Sequence, residues 1–206
     1  RWINLPQAWL PHEARRRGLK WTLDALRQPD LFSADRPTLV FAHVLLPHPP
    51  FVLNPDGTPR PSALRAGVYD GDHWWRNGGG NQKAYKAGYI ASVEYLGWQV
   101  ARVVKALSTP GREVSILVYG DHGPGSCLRW DSKAATDLRE RMGILLALRP
   151  APSSAASLYP TMTPVNAMRG VLQAALGIRL PFVDDRSYFS TWTQPYRFSD
   201  VTARVQ

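Results

Sequence analysis

The stretch EVSILVYGDHGPGSC, residues 113–127, constrains this chain more than any other. Residues 114–118 form a short, β-branched and nearly continuous apolar run, the pattern of a strand buried on both faces of a sheet. The run stops at Gly120-Asp121-His122-Gly123-Pro124-Gly125. Glycine and proline at that density exclude regular structure there. Adjacent carboxylate and imidazole groups at the carboxyl end of a buried strand are a recurrent address for a metal or reactive centre in α/β proteins. The same residues also suit a plain turn, with Asp121 capping the backbone and His122 facing solvent. The motif alone leaves both readings open.

A chain of 206 residues can bury a sizeable core, and a single domain over 1–206 is expected. The net charge of +9 favours an anionic partner: phosphate, sulfate, nucleic acid or an acidic membrane surface. No nucleic-acid-binding motif is present, so no nucleic-acid partner is expected. Cys127 is the one cysteine, which rules out an internal disulfide. No apolar run approaches the roughly 20 residues needed to span a bilayer. The chain begins with Arg1 rather than Met and carries no signal-peptide pattern. It therefore reads as a soluble portion of a longer protein.

Along the chain, Trp2, Ile3, Leu5, Trp9 and Leu10 are interrupted by Pro6 and Pro11. Residues 13–26 (EARRRGLKWTLDAL) read as a helix ended by Pro29 and Asp30. Its Arg15, Arg16, Arg17 and Lys20 read as a solvated basic face rather than a specific anion site. Residues 38–45 (TLVFAHVL) read as the first clear strand, with Leu39, Phe41, His43 and Leu45 on one face. On that face His43 is a hydrogen-bonded core histidine rather than a ligand. The strand would run into Pro47-His48-Pro49-Pro50-Phe51, where prolines on both sides of His48 stiffen the loop and aim the ring. A rigidly held histidine at a strand end suits an anion-binding group or a general acid.

Residues 52–82 read as an irregular functional loop, within which Asp70, Asp72 and His73 match no specific ligand spacing. Residues 81–107 are the longest helix candidate, with Tyr85, Tyr89, Val93, Leu96, Val100, Val103, Val104 and Leu107 at three- and four-residue steps. A strand, a long helix and a second strand make a crossover-like unit. Its two strands would lie parallel and deliver His48 and Asp121-His122 to one sheet edge. Residues 131–140 suggest a short helix and 141–148 (RMGILLAL) a further buried strand. Thr163-Pro164 opens a helix that Gly177 closes. The tail from residue 179 shows little regularity, and no linker divides the chain.

Taken together, the segments FAHVLLPHPPF (41–51), YGDHGPG (119–125), ERMGIL (140–145) and YPTMTPVN (159–166) resemble the sulfatase-like branch of the alkaline phosphatase superfamily. The resemblance is nearest to relatives of the lipoteichoic acid synthases and phosphoethanolamine transferases, and it covers roughly residues 37–190 in the right order. It implies an α/β fold, a mixed β-sheet flanked by helices on both faces, here incomplete. It implies that Asp121 and His122 ligate a catalytic divalent metal, and that His48 contacts the sulfate or phosphate of an anionic ester substrate. The reaction implied is attack by a metal-bound Thr, Ser or formylglycine through a covalent intermediate. Mn²⁺ or Zn²⁺ suits an Asp-plus-His pair, and Ca²⁺ or Mg²⁺ fits if carboxylates dominate the remaining ligands.

The family places its nucleophile and its other acidic ligands well before the His-Pro segment, and neither is recognisable in the residues before His48. The expectation is therefore the C-terminal part of a catalytic domain, inactive alone, within a bacterial protein held at the cell membrane by an N-terminal region. This domain would lie outside the cytoplasm. The alternative is a catalytically silent domain that binds an anionic polymer or lipid headgroup through its basic surface.

Overall fold

Leu19 and Leu23 lie one helical turn apart, and Arg15 lies one turn before them. All three are buried on α1, His12–Ala25. This computed structural model describes residues 11–28, 38–62, 64, 69–111 and 113–206. The tryptophan- and proline-rich start and the Pro29-Asp30 helix stop lie outside the described residues. The chain divides into two compact units, Arg1–Thr109 and Pro110–Gln206.

In the first unit the leucines of α1 pack with Leu46, Val52, Leu53 and Tyr95. Tyr95 comes from α3, Gln82–Leu107, which Asn81 caps by accepting from Ala84 N at 3.0 Å. Tyr85 of the same helix joins Phe51, Leu64 and Trp74 in a second apolar cluster. α3 forms where expected and buries Tyr85, Val103 and Leu107. Mid-helix its buried face runs through Gly88, Ala91, Ser92 and Tyr95 rather than the expected Val93 and Leu96, and Val93 faces solvent. A tight turn at residues 54–58 brings Leu53 opposite Pro59. Gly57 sits there at a φ of +80°, where a side chain would also strike the Tyr95 ring.

Two expectations for this unit fail. Residues 38–45 are not a strand. Leu39 and Phe41 are 74% and 66% exposed, and His43 is exposed rather than buried in a core. A strand needs a neighbour to accept its ladder hydrogen bonds, and no described segment pairs with this one. Residues 70–80 are not wholly irregular. Asp70 accepts from Gly71 N at 2.9 Å and caps a short helix, α2, Gly71–Arg76.

In the second unit β1, Ile116–Tyr119, pairs antiparallel with β2, Leu146–Arg149. Because 38–45 is not a strand, the parallel crossover is not formed. β1 is half-buried rather than buried on both faces. β2 starts later than expected because Asp137 caps α4, Leu138–Met142, through Glu140 N at 3.0 Å. α5 runs Pro164–Leu176 and ends at Gly177 in the left-handed conformation, as its sequence signals require. The tail is more regular than it reads. β3, Tyr188–Thr191, and β4, Gln194–Asp200, form a hairpin followed by α6, Thr202–Val205. Phe189 and Val201 of this region pack with Leu128 and Leu138. Helices with short sheets place the chain in the expected α/β class. Among the described residues no helix is long and apolar enough to cross a membrane.

Candidate functional site

His48 sits in the first unit on a loop held from beneath. Pro49 and Pro50 are fully buried, and Phe51 stands edge-on to Tyr85 with centroids 5.1 Å apart. Gly88 of α3 makes room for the Phe51 ring, since a Cβ there would lie 2.2 Å from Phe51 Cδ2. Arg15, 1% exposed, completes the mount. Its Nη2 donates to the carbonyls of Leu45 at 3.1 Å, His48 at 3.0 Å and Pro49 at 3.3 Å. Burial draws its pKa down to about 10, which still leaves the guanidinium charged at neutral pH. The solvated-face reading thus holds for Arg17 and Lys20 but not for Arg15. The sequence carries a signal for this: Arg15 shares the four-residue stripe of Leu19 and Leu23.

The imidazole of His48 lies with Nδ1 2.6 Å from its own neighbour's carbonyl, Pro49 O. A carbonyl can only accept, so Nδ1 carries the proton and Nε2 carries the lone pair of the neutral ring. A protonated ring would present an N–H at Nε2, the form that suits an anion.

Asp121 and His122 follow β1 in the second unit. Gly120 N donates to Leu145 O at 3.0 Å, continuing the β1–β2 pairing past the last strand residue. Gly123 N then donates to Arg141 O at 2.7 Å, and Arg141 Nη1 returns a bond to Gly123 O at 3.1 Å. Only glycine fits at 123, because a Cβ would lie 2.0 Å from Glu140 O and 2.3 Å from Gly143 O. Glu140 anchors the far side of the turn, accepting from Ser126 Oγ and from Cys127 N, the latter at 2.8 Å. The roles of Glu140 and Arg141 are not legible from spacing, because their partners lie 13 to 18 residues away.

Within this frame His122 Nδ1 lies 2.9 Å from Gly123 O, so it too is the protonated nitrogen. His122 Nε2 then faces Asp121 Oδ2 at 3.8 Å, while Asp121 Oδ1 accepts from His122 N at 3.1 Å. Two lone-pair atoms so placed repel unless a cation or a proton lies between them. An exposed carboxylate and an imidazole with a carbonyl behind it are the donor types a divalent metal takes. They fit as part of a ligand set. Among the described residues no group of three or more His, Cys, Asp or Glu could hold a metal ion. Asp70 and Asp72 are engaged as a helix cap that also accepts from Tyr85 OH at 2.6 Å, and as the partner of Arg76 at 2.7 Å.

The YPTMTPVN segment is organised by a residue outside it. Asp185 Oδ1 accepts from Thr163 N at 2.7 Å, Thr163 Oγ1 at 2.6 Å and Asn166 Nδ2 at 3.0 Å, and Oδ2 accepts from Tyr159 OH. Partial burial would raise the Asp185 pKa, but these bonds, led by Thr163, outweigh it and hold the carboxyl below its ordinary value. The bond that Tyr159 donates to Asp185 pushes the phenol's pKa up.

A family model described as Sulfatase matches residues 22–173, about three quarters of the chain, and spans His48, Asp121 and His122. No curated protein and no solved structure matches the chain.

Proposed function

Because the chain belongs to the Sulfatase family, we propose that it is the C-terminal part of a metal-dependent phosphoryl or sulfuryl ester hydrolase or transferase. Sulfatase-like ester chemistry at family level is given by that membership. The specific roles are the proposal: Asp121 and His122 as two ligands of a divalent metal, and His48 at the anionic group of the substrate.

The observation that carries this reading is the pairing at the end of β1. His122 Nε2 and Asp121 Oδ2 face each other at 3.8 Å, with the other imidazole nitrogen committed to Gly123 O. A divalent cation, Mn²⁺ or Zn²⁺ by donor type and Ca²⁺ or Mg²⁺ if further carboxylates join, would supply charge stabilisation on the ester oxygens. Asp121 brings negative charge to the site. The Gly123 carbonyl behind Nδ1 keeps the ring in the ligating tautomer, and Arg141, bonded to that carbonyl, keeps the carbonyl in place. His48, protonated, would donate from Nε2 to a non-bridging or leaving oxygen of a phosphate or sulfate ester. The nucleophile and the remaining ligands would come from a segment preceding this chain. Attachment of the parent protein to a bacterial membrane, with this part outside the cytoplasm, belongs to the same proposal.

The small donor set and the +9 charge favour a second reading, a silent domain that holds an anionic polymer or lipid headgroup. The discriminating experiment uses the protein extended upstream of Arg1, assayed on an aryl phosphate and an aryl sulfate with added metal. The enzyme reading predicts metal-dependent turnover that Asp121→Ala abolishes. Turnover unchanged by Asp121→Ala would remove the metal assignment. Absence of turnover together with salt-sensitive polyanion binding would favour the silent domain.

A further inference from the structure

We infer that Arg15 is the positioning residue of His48. It acts by holding both the backbone of His48 and the acceptor of its ring through one guanidinium nitrogen. The inference rests on the reading of His48 as the anion-contacting group. It adds a residue that neither the family membership nor the ordered motifs single out.

Three carbonyls of one loop, those of Leu45, His48 and Pro49, converge on Arg15 Nη2 within 3.3 Å. Pro49 O is shared, since it also lies 2.6 Å from His48 Nδ1. Arg15 thus fixes the peptide that follows His48 and the atom its ring turns toward. Pro49, next in the chain, restricts the His48 backbone independently. Burial of Pro49, Pro50 and Phe51 holds the body of the loop, and the bonds from Arg15 add fixed positions for the carbonyls of His48 and Pro49.

The placement is costly. Arg15 is buried, and among the described residues its Nε has no hydrogen-bond partner; a buried guanidinium is expensive to desolvate. A packed leucine at this stripe position would serve the Leu19–Leu23 core without that cost. An arginine here is accounted for by what it donates to. Hydrogen bonds from a charged donor are about twice as strong as neutral ones, and three acceptors around one cation hold a loop that pairs with no strand among the described residues.

The test is imidazole ¹⁵N NMR of the chain, wild type against Arg15→Met and Arg15→Lys, with folding checked by circular dichroism at the same temperature. In the wild type, neutral His48 is expected as the Nδ1–H tautomer. In folded Arg15→Met it becomes a mixture of tautomers, and Arg15→Lys, which keeps a cation with three donors, retains the wild-type form. A structural role alone would lower the melting temperature and leave the tautomer untouched. A folded Arg15→Met with wild-type tautomer proportions, or a folded Arg15→Lys that has lost them, overturns the inference. Should Arg15→Met not fold, Arg15→Gln takes its place with the same two outcomes.

Titration with inorganic sulfate at constant ionic strength separates this inference from the reading beneath it. Sulfate affinity is expected to fall roughly tenfold, about 1.4 kcal/mol, in Arg15→Met and to be largely restored in Arg15→Lys. If His48→Ala leaves sulfate binding unchanged while Arg15→Met still scrambles the tautomer, the anion role of His48 fails and the positioning by Arg15 stands.

Discussion

Gly88 of α3 and Phe51 are packed so closely that a Cβ on the glycine would lie 2.2 Å from the ring's Cδ2. Phe51 closes the loop that carries His48, so the helix and the loop share one tolerance. Gly88→Ala gains about 1 kcal/mol of helix propensity but overpacks the core at a cost of roughly 1–3 kcal/mol. The clash is with an aromatic ring wedged between Trp74 and Tyr85, so the cost wins and thermal melts should show net destabilisation. Gly97 of the same helix is the internal control. Among the described residues nothing lies within 4 Å of its Cβ position, so Gly97→Ala should stabilise by about 0.5–1 kcal/mol.

Gly123 lies against backbone rather than a side chain. A Cβ there would meet Glu140 O at 2.0 Å and Gly143 O at 2.3 Å, and neither atom can swing aside. Gly123→Ala should cost about 3 kcal/mol or more, measured by denaturant titration. A loss below about 1 kcal/mol would mean that the turn after His122 adapts more freely than its hydrogen bonds imply.

Asp185 gathers the Tyr159–Asn166 segment with four hydrogen bonds. Its carboxyl is held below the ordinary value of 3.8 in the folded chain. In the acid range the unfolded chain therefore binds a proton before the folded chain does. The stabilisation is complete above the unfolded pKa and is lost as pH falls through the depressed folded value. Asp185→Asn should lose about 1–3 kcal/mol at pH 7, as expected for trading charge-assisted bonds for neutral ones. It should also show a flatter stability profile below about pH 4 than the wild type. Equal acid dependence of the two proteins would contradict the assignment.

Glu140 and Arg141 brace the Asp121-His122 turn from neighbouring positions of α4. Glu140→Gln keeps a partner for Ser126 and should be mild, whereas Arg141→Met strips a charged donor from Gly123 O. The second should cost about 1.5–3 kcal/mol. It should also broaden the His122 imidazole resonances at temperatures where the chain remains folded.

What the sequence discloses here is local. α3 and α5 are legible because the Asn81 cap, Pro164 in the first turn of α5 and the stop at Gly177 are nearest-neighbour chemistry, although the Thr163 hydroxyl, expected to cap α5, donates to Asp185 instead. The Asp121-His122 turn is legible because glycine and proline cluster around it, and at Gly123 the glycine is forced by close backbone approach. Residues 38–45 mislead because an alternating apolar pattern names a face to be covered without naming the partner that covers it. Asp185 is opaque for the same reason, and for Arg15 the stripe shared with Leu19 and Leu23 signals burial but not the acceptors it meets. Their meaning lies in carbonyls and hydroxyls about 20 to 30 residues away, and a charged side chain on a helix or in a tail reads as solvated until those acceptors or donors come to it.

The central claim is that Asp121 and His122 are metal ligands, and paramagnetic broadening tests it on this chain even if binding is weak. Mn²⁺ would be titrated into the ¹⁵N-labelled protein, wild type and Asp121→Ala, while the imidazole and backbone resonances are followed. The prediction is selective broadening centred on Asp121, His122 and Gly123 that Asp121→Ala abolishes. Broadening that is absent there, or that persists unchanged in Asp121→Ala, would contradict the account.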